Sequence, residues 1–333
     1  MYEFRPQPRN FIDHGDPVAA LRAAGLYRDG EMQAKIHSHI QQADDGYVYF
    51  ASMDETGESW RQQRLPQWGS HLWRIDPASG AWEHVLSAPE GLIAVNAVGR
   101  YVYALGYWDH VVHQYDTRTG VQRSVIVGSA CGHVSRNFLA DLRGHVYVPR
   151  VTLTGETGEG CQAAKVTATL VELSPKLDVV AEHALVGYLG KRKPAANHGI
   201  TAYSFRLDES LVFVTDGGEF YHLIVTGGHP ALIMRLGSIY PGERLKVSTL
   251  FSIDGKNLVA TVGRLNKRLH WIRHDMGMIE ATAMPLDLPP HRALLLYGSM
   301  VRDRTGGFYV GGRLQAPDGP LRPILLRLRE ASD

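Results

Sequence analysis

The sequence has few cysteines, almost no net charge and no long apolar run. Only two of its 333 residues are cysteines, Cys131 and Cys161, so no disulfide framework is readable, although one bridge between them stays open. The 35 basic and 34 acidic side chains give a net charge of +1, which argues against nucleic acid as a partner. No stretch approaches the roughly 18 apolar residues of a membrane span, so we expect no membrane partner.

The compartment is left open by the sequence. The first ten residues, "MYEFRPQPRN", lack the apolar stretch of a signal peptide. We therefore expect a secreted or periplasmic protein if a leader has been removed, and a cytoplasmic protein otherwise. A bridge between Cys131 and Cys161 would favour the first, because disulfides persist in oxidising compartments.

A strand pattern recurs six times along the chain. For example, "HSHIQQADDGYVYFAS" is followed by "SHLWRIDPASGAWEHVL", and "AVNAVGRYVYALG" by "HVVHQYDTRTGVQRSVI". Alternation with a period of two, broken by turns such as "DPASG" and "DTRTG", indicates short antiparallel strands. Units of roughly 40 to 50 residues are typical of propeller blades. The pattern predicts an all-β fold: one β-propeller domain over residues 1–333, built from four-stranded antiparallel blades.

The blade count depends on the first 36 residues. This segment contains "DPVAALRAAGL", where Asp16 and Pro17 suit the start of a helix. The opening "MYEFRPQP" can pair with the last blade and close the ring, which would remove exposed sheet edges. We predict seven blades, with six as the alternative.

The innermost strands of a propeller all start at one face of the ring, which we call the mouth, and each turn between second and third strands returns to that face. Histidines from separate blades map there and indicate a functional site. The predicted mouth residues at strand starts are His37, His39, Cys131, His133, Ser135, Asn137, His198, Thr201, Tyr203, Lys246, Tyr297 and Ser299. Those at turns are Trp108, Asp109 and His110, with His113 just inside the following strand, and Glu219 with Tyr221. Histidines in outer strands, including His71 and His84, are expected to be structural or solvated.

The predicted mouth is poor in carboxylates, which argues against a glycosidase with two facing acids and against a calcium site built from oxygen ligands. Histidine, tyrosine and cations instead suit proton abstraction beside a carboxylate, the first half of β-elimination from a uronic acid. Histidine can be the base near neutral pH. We expect Lys246, Arg192 and Arg206 to supply the positive field for an acidic polysaccharide or oligosaccharide.

Four segments carry a resemblance to a known family: "KIHSHIQQADDGYVYFAS", "GSHLWRID", "GYWDHVVHQYD" and "GHVSRNFLADLRGHVYVPR". They resemble the ulvan lyases, polysaccharide lyases on a seven-bladed propeller that use two histidines, a tyrosine and an arginine. The resemblance implies catalytic roles for His113, His133 and Tyr188, with Tyr203 competing for the tyrosine. It places the arginine at Arg206 or Arg192.

The resemblance and the mouth together predict a monomeric lyase of an ulvan-like glycan. Its substrate-binding residues would be Arg206, His198, Tyr203, Asn137, Lys246, Arg192 and Trp108. No cofactor is required for this chemistry. The zinc site of the family has no recognisable counterpart here, so the sequence leaves open whether the protein binds a structural divalent metal, zinc or calcium. Two alternatives remain: a non-catalytic propeller that binds a glycan or peptide, and a metal-assisted lyase of a small cyclic substrate in which His37 and His39 hold the ion.

Overall fold

Six antiparallel sheets follow one another along the chain, which confirms the all-β propeller with four-stranded blades. The computed structural model describes residues 1–5, 8–59, 61–154, 165–225, 228–239, 247–252, 258–262, 268–275, 278–302 and 308–328. None of the helices in these ranges is long and apolar enough to cross a membrane.

A hairpin and a short helix precede the blades. Strands β1 (Tyr2–Arg5) and β2 (Asn10–Asp13) pair with each other, and helix α1 spans Pro17–Ala23. The Asp16 carboxylate caps this helix by accepting hydrogen bonds from two backbone N–H groups of the first turn. Pro17 fits the first helical position because no N–H is needed there.

The first three sheets form blades 1 to 3. Blade 1 consists of β3 to β6, which span Gln41–Gln42, Val48–Met53, Ser70–Ile75 and Trp82–Ala88. Blade 2 consists of β7 to β10, which span Gly91–Val98, Tyr101–Tyr107, Val111–Asp116 and Gln122–Ile126. Blade 3 consists of β11 to β14, which span Leu139–Ala140, Val146–Thr154, Lys165–Leu173 and Val179–Ala184.

The last three sheets form blades 4 to 6. Blade 4 consists of β15 to β18, which span Ile200–Phe205, Leu211–Thr215, Glu219–Ile224 and Leu232–Ser238. Blade 5 consists of β19 to β22, which span Val247–Ser252, Leu258–Val262, Arg268–Asp275 and Met278–Ala283. Blade 6 has three strands within the described residues, β23 to β25, which span Ala293–Arg302, Phe308–Gln315 and Leu321–Leu328.

The prediction of seven blades is wrong, and the alternative of six is confirmed. The described part of residues 1–36 supplies only the hairpin and α1, which is too little for another four-stranded sheet. The contribution of this segment to ring closure stays a prediction.

The chain divides into two compact units, Met1–Thr152 with Leu173–Val179, and Leu153–Glu172 with Val180–Asp333. The expectation of a single domain over the whole chain stays a prediction. Each unit has its own apolar core between successive blades. The core of the first unit includes Tyr49, Leu72, Leu92, Val95 and Val102; that of the second includes Val212, Phe220, Leu250, Leu258 and Ile272. Alternating strand residues fill these cores, as the period of two predicts.

Candidate functional site

The mouth end of blade 2 is defined by its strand pairing. Gly91, the first residue of β7, lies opposite Tyr107, the last residue of β8. The turn that follows leads into β9, where His113 is the third residue. Glu90, the residue before β7, therefore lies at the same end of the blade as His113.

Glu90 and His113 form a pair that the sequence interpretation missed. Nε2 of His113 lies 3.1 Å from Oε2 of Glu90, and each side chain is 14% exposed. A carboxylate can only accept, so Nε2 carries the proton and Nδ1 carries the lone pair. Nδ1 of His113 has no hydrogen-bond partner among the described residues. This leaves a basic nitrogen on an imidazole whose orientation is fixed by a carboxylate.

The electrostatics of Glu90 favour its charged form. Burial by itself would raise the pKa of Glu90, but the hydrogen bond with His113 and a backbone hydrogen bond outweigh burial and lower it. Glu90 immediately precedes an innermost strand, a position that the mouth argument already singles out, so the sequence could have identified it as a candidate. The sequence could not have predicted its contact with His113.

A glycine makes room for the pair. A Cβ built on Gly106 would lie 2.8 Å from Cβ of Glu90, so the Glu90 side chain lies directly over this glycine of β8. Any larger residue at position 106 would push Glu90 away from His113.

We expect Gly106→Ala to destabilise the protein by about 1 to 3 kcal/mol, because the added methyl overpacks a filled space. The matched control is Gly217→Ala, where the built Cβ meets only ordinary contacts, the nearest at 3.6 Å. Urea unfolding of both variants measures the difference. Equal stabilities for the two variants would contradict the close packing of Glu90 on Gly106.

His133 lies inside the structure rather than on its surface. Its exposed fraction is 0%, and its Nδ1 lies 3.1 Å from Oγ of Ser129. Its ring packs edge-on against the ring of His110, with centroids 5.2 Å apart. A completely buried imidazole cannot contact a polymer until the residues that cover it move, so a catalytic role for His133 stays a prediction.

His110 is a structural histidine. Its Nδ1 lies 2.7 Å from the carbonyl oxygen of Pro149, and its Nε2 accepts a hydrogen bond of 3.1 Å from the backbone N–H of Ser135. Burial lowers the pKa of His110 to about 4, so the ring is neutral near pH 7 and fixes the start of blade 3.

We expect acid to destabilise the fold through His110. The folded pKa lies below the unfolded value of about 6.5, so the unfolded chain binds more protons between pH 6.5 and 4 and stability falls as pH falls through that window. Across this window the shifted pKa of His110 lowers the free energy of unfolding by roughly 3 kcal/mol. Unfolding midpoints measured across this window should show a shallower pH dependence in His110→Asn than in the exposed control His291→Asn. Identical slopes would contradict the assignment.

Three further predicted residues of the first unit are buried or covalently held. Trp108 is 4% exposed and packs against the ring of Tyr107, while Asn137 is also 4% exposed. Cys131 forms a disulfide; Cys161, the other cysteine of the chain, lies outside the described residues. His37 and His39 are not joined by a third His, Cys, Asp or Glu ligand in the part of the chain that the structure describes.

Two cations that the sequence interpretation did not use interact electrostatically, Lys35 before blade 1 and Arg136 before blade 3. Burial lowers the pKa of the Lys35 ammonium; the charge of Glu58 opposes this, and the charge of Arg136 lowers the pKa further. Arg136 is exposed and precedes Asn137. Lys35 also forms an ion pair with Glu55.

In the second unit, Arg192 and His198 come together at one end of blade 4. Arg192 forms an ion pair with the buried carboxylate of Asp216, and the backbone N–H of His198 donates to the same carboxylate at 3.4 Å. The negative charge of Asp216 thus offsets the positive charge of Arg192, which the sequence interpretation assigned to substrate binding. Tyr188 is 1% exposed, so its contact with a substrate requires its cover to move.

Arg206 is not brought to that end. It lies in the turn after β15, at the opposite end of this strand from His198, and its backbone N–H donates to the carbonyl of Ser210. Burial raises the pKa of Tyr203, which disfavours its use as a base. Lys246 lies outside the described residues.

A buried carboxylate also joins two histidines in the second unit. Oε2 of Glu172 lies 2.9 Å from Nε2 of His183, and Oε1 lies 2.6 Å from Nδ1 of His229. The backbone N–H of Ala231 donates to Oε2 at 2.9 Å. The hydrogen bonds outweigh burial and keep the pKa of Glu172 below its usual value, so this group stabilises the loop that contains His229.

Comparison with known proteins supports the propeller fold. No protein-family model matches the chain, and no curated protein matches it. Among solved structures, the β-propeller domain of Cps50 (Swd1) from Myceliophteria thermophila aligns with a TM-score of 0.54 at 10% identity, covering 88% of this chain and 84% of that one. A putative 6-phosphogluconolactonase from Bacteroides uniformis aligns with a TM-score of 0.49 at 15% identity, covering 81% and 79%. At 10% identity the likeness to Cps50 (Swd1) shows the fold alone, and neither comparison supports the ulvan lyases in particular.

Proposed function

We propose that this protein is a polysaccharide lyase that cleaves an acidic, uronate-containing glycan of the ulvan type by β-elimination. The observation that carries the proposal is the pair formed by His113 and Glu90 at the mouth end of blade 2. The imidazole of His113 is partly exposed and is oriented by the Glu90 carboxylate. No described residue occupies its second nitrogen, Nδ1. These are the properties of a general base.

In the proposed reaction, Nδ1 of His113 takes the proton from C5 of the uronate. The electrons of the C5–H bond form the C4=C5 double bond, the C4–O bond breaks, and the leaving oxygen takes a proton from an acid. Glu90 stabilises the imidazolium that forms, because it accepts a hydrogen bond from the opposite nitrogen. His133 and Tyr188 are the candidates for the acid, and both are covered in this structure.

Neutralisation of the uronate carboxylate needs positive charge. The charge of Arg136 lowers the pKa of Lys35, so an anion that bound near both would relieve their repulsion. We therefore add Arg136 to the predicted cations, whereas Lys35 contributes less net charge because it is paired with Glu55. Arg192 contributes less net charge because it is paired with Asp216.

The same proposal implies the remaining properties of the enzyme. The elimination needs no cofactor, and we propose that the protein acts as a monomer. The disulfide at Cys131 favours an oxidising compartment, as an extracellular lyase requires.

Incubation with a panel of uronate glycans tests the function. Elimination creates a conjugated double bond, so ultraviolet absorbance should rise with an ulvan-like glycan and stay flat with neutral glycans. Binding should weaken with salt, since the Debye length falls from about 10 Å at 0.1 M to about 3 Å at 1 M. Binding without a rise in absorbance would instead indicate a non-catalytic glycan-binding propeller.

A further inference from the structure

Three polar side chains meet on the outer half of blade 1. His71 lies on β5 directly opposite Ser87 on β6. Farther along, Trp73 pairs with His84, because one extra residue of β6 interrupts the register after Leu72. This β-bulge turns His84 to the same face as Ser87, although a spacing of three would place the two on opposite faces of a regular strand.

The three side chains present a triangle of donor atoms. Nδ1 of His71 lies 3.0 Å from Nε2 of His84, and Oγ of Ser87 lies 3.1 Å and 3.2 Å from these nitrogens. Three polar atoms this close together either share protons in hydrogen bonds or bind a common ion.

The other nitrogen of His71 is already engaged. Its Nε2 lies 3.0 Å from Oε1 of the buried Glu31, and Gln33 donates to the same oxygen at 2.7 Å. A carboxylate only accepts, so Nε2 carries the proton of a neutral His71 and Nδ1 carries the lone pair. This lone pair points at His84 and Ser87.

His84 faces the lone pair of His71. Nε2 of His84 lies 3.0 Å from Nδ1 of His71 and 3.2 Å from Oγ of Ser87. Burial lowers the pKa of both imidazoles, in the direction of the neutral form that a metal ion requires.

We propose that Nδ1 of His71, Nε2 of His84 and Oγ of Ser87 bind a divalent transition-metal ion, with zinc as the first choice. A tetrahedral ion with bonds of about 2.0 to 2.1 Å separates its ligands by about 3.3 Å, close to the 3.0 to 3.2 Å edges of this triangle. Neutral imidazole suits zinc, copper and nickel. A carboxylate on the opposite ring nitrogen, as Glu31 provides for His71, is a usual support of a metal-bound histidine.

The site is open to entry from solvent. Ser87 is exposed, and His84 also borders a cavity of about 380 Å³ between α1 and blade 1 that is lined by Trp73, Trp82 and His14. The fourth position of a tetrahedral ion is therefore available to water or to a small ligand. This proposal does not depend on the proposed lyase activity, since the catalytic pair lies on blade 2.

Metal titration of the full chain, stripped of metal with a chelator, tests the proposal. Co²⁺ serves as the spectroscopic probe and Zn²⁺ as the calorimetric one. We expect one ion per chain, with visible bands of tetrahedral Co²⁺ that Zn²⁺ abolishes. Wild-type protein that binds neither ion, or that binds Co²⁺ without tetrahedral bands, would overturn the site.

Variants separate this site from other histidines. Glu31→Gln should weaken Zn²⁺ binding by about 10- to 100-fold, His84→Ala should weaken it further, and the exposed control His291→Ala should leave it unchanged. Ser87→His keeps both imidazoles and adds a third, so it should bind more tightly even if His84→Ala folds poorly. Unchanged affinity in Glu31→Gln, His84→Ala and Ser87→His would overturn the assignment.

Discussion

Replacement of His113 by alanine is expected to lower the turnover of an ulvan-like glycan by about 10²- to 10⁴-fold, the usual loss when a general base is removed. The reason lies in its position: His113 is partly exposed, and Glu90 holds the imidazole from the opposite nitrogen. Initial rates of ultraviolet absorbance at saturating glycan measure the effect. Thermal unfolding should remain close to wild type, because the His113 side chain is itself partly exposed.

Glu90→Gln is the informative companion to His113→Ala. The amide keeps the size of the side chain but cannot stabilise a charged imidazolium, so turnover should fall less than in His113→Ala while KM changes little. The exposed His291→Ala is the control for loss of a histidine as such. Wild-type turnover in His113→Ala would remove this residue from the mechanism.

The same assay decides the roles of the two buried candidates. His133→Ala and Tyr188→Phe should each reduce turnover if these residues supply the acid. A loss of stability without a loss of turnover would make both structural, as their burial suggests. His113 would then remain the base, and another residue at the mouth end of blade 2 would have to be the acid.

Loss of the disulfide at Cys131 should have the largest effect on stability. Removal of a native disulfide typically costs about 2 to 5 kcal/mol, because the unfolded chain gains freedom. Cys131→Ser should therefore lower the free energy of unfolding by this amount relative to oxidised wild type in denaturant titrations. Reduced wild type should match the variant.

Thiol titration of the denatured, unreduced protein provides the independent check. No free thiol is expected, since Cys131 is disulfide-bonded and no described cysteine is free. Two free thiols per chain in protein kept oxidised throughout would contradict the bridge. That result would also remove the main support for an extracellular location.

The blades were readable from the sequence because their signals are local. Alternation with a period of two and turns such as "DPASG" depend on neighbouring residues only, and they placed β5 and β6 on either side of residues 76–81. The same local reasoning wrongly predicted a seventh blade. Residues 1–36 carry strand and helix signals, but their described part forms a hairpin and a short helix. The sequence also indicated that His113 lies just inside the strand after a turn, and it is the third residue of β9.

Side-chain contacts were decided by the tertiary structure alone. The partner of His113 is Glu90, which reaches it across Gly106 from the bend before β7, and no spacing in the sequence encodes that path. His133 follows the strand-start rule yet is completely buried, because burial depends on what packs over a residue. His84 meets His71 only through a bulge, since one extra residue reverses the face of a strand. The sequence alone therefore determined the propeller and the end of blade 2 where chemistry is expected, whereas cross-strand register and packing, which depend on distant residues, decided which side chains meet there.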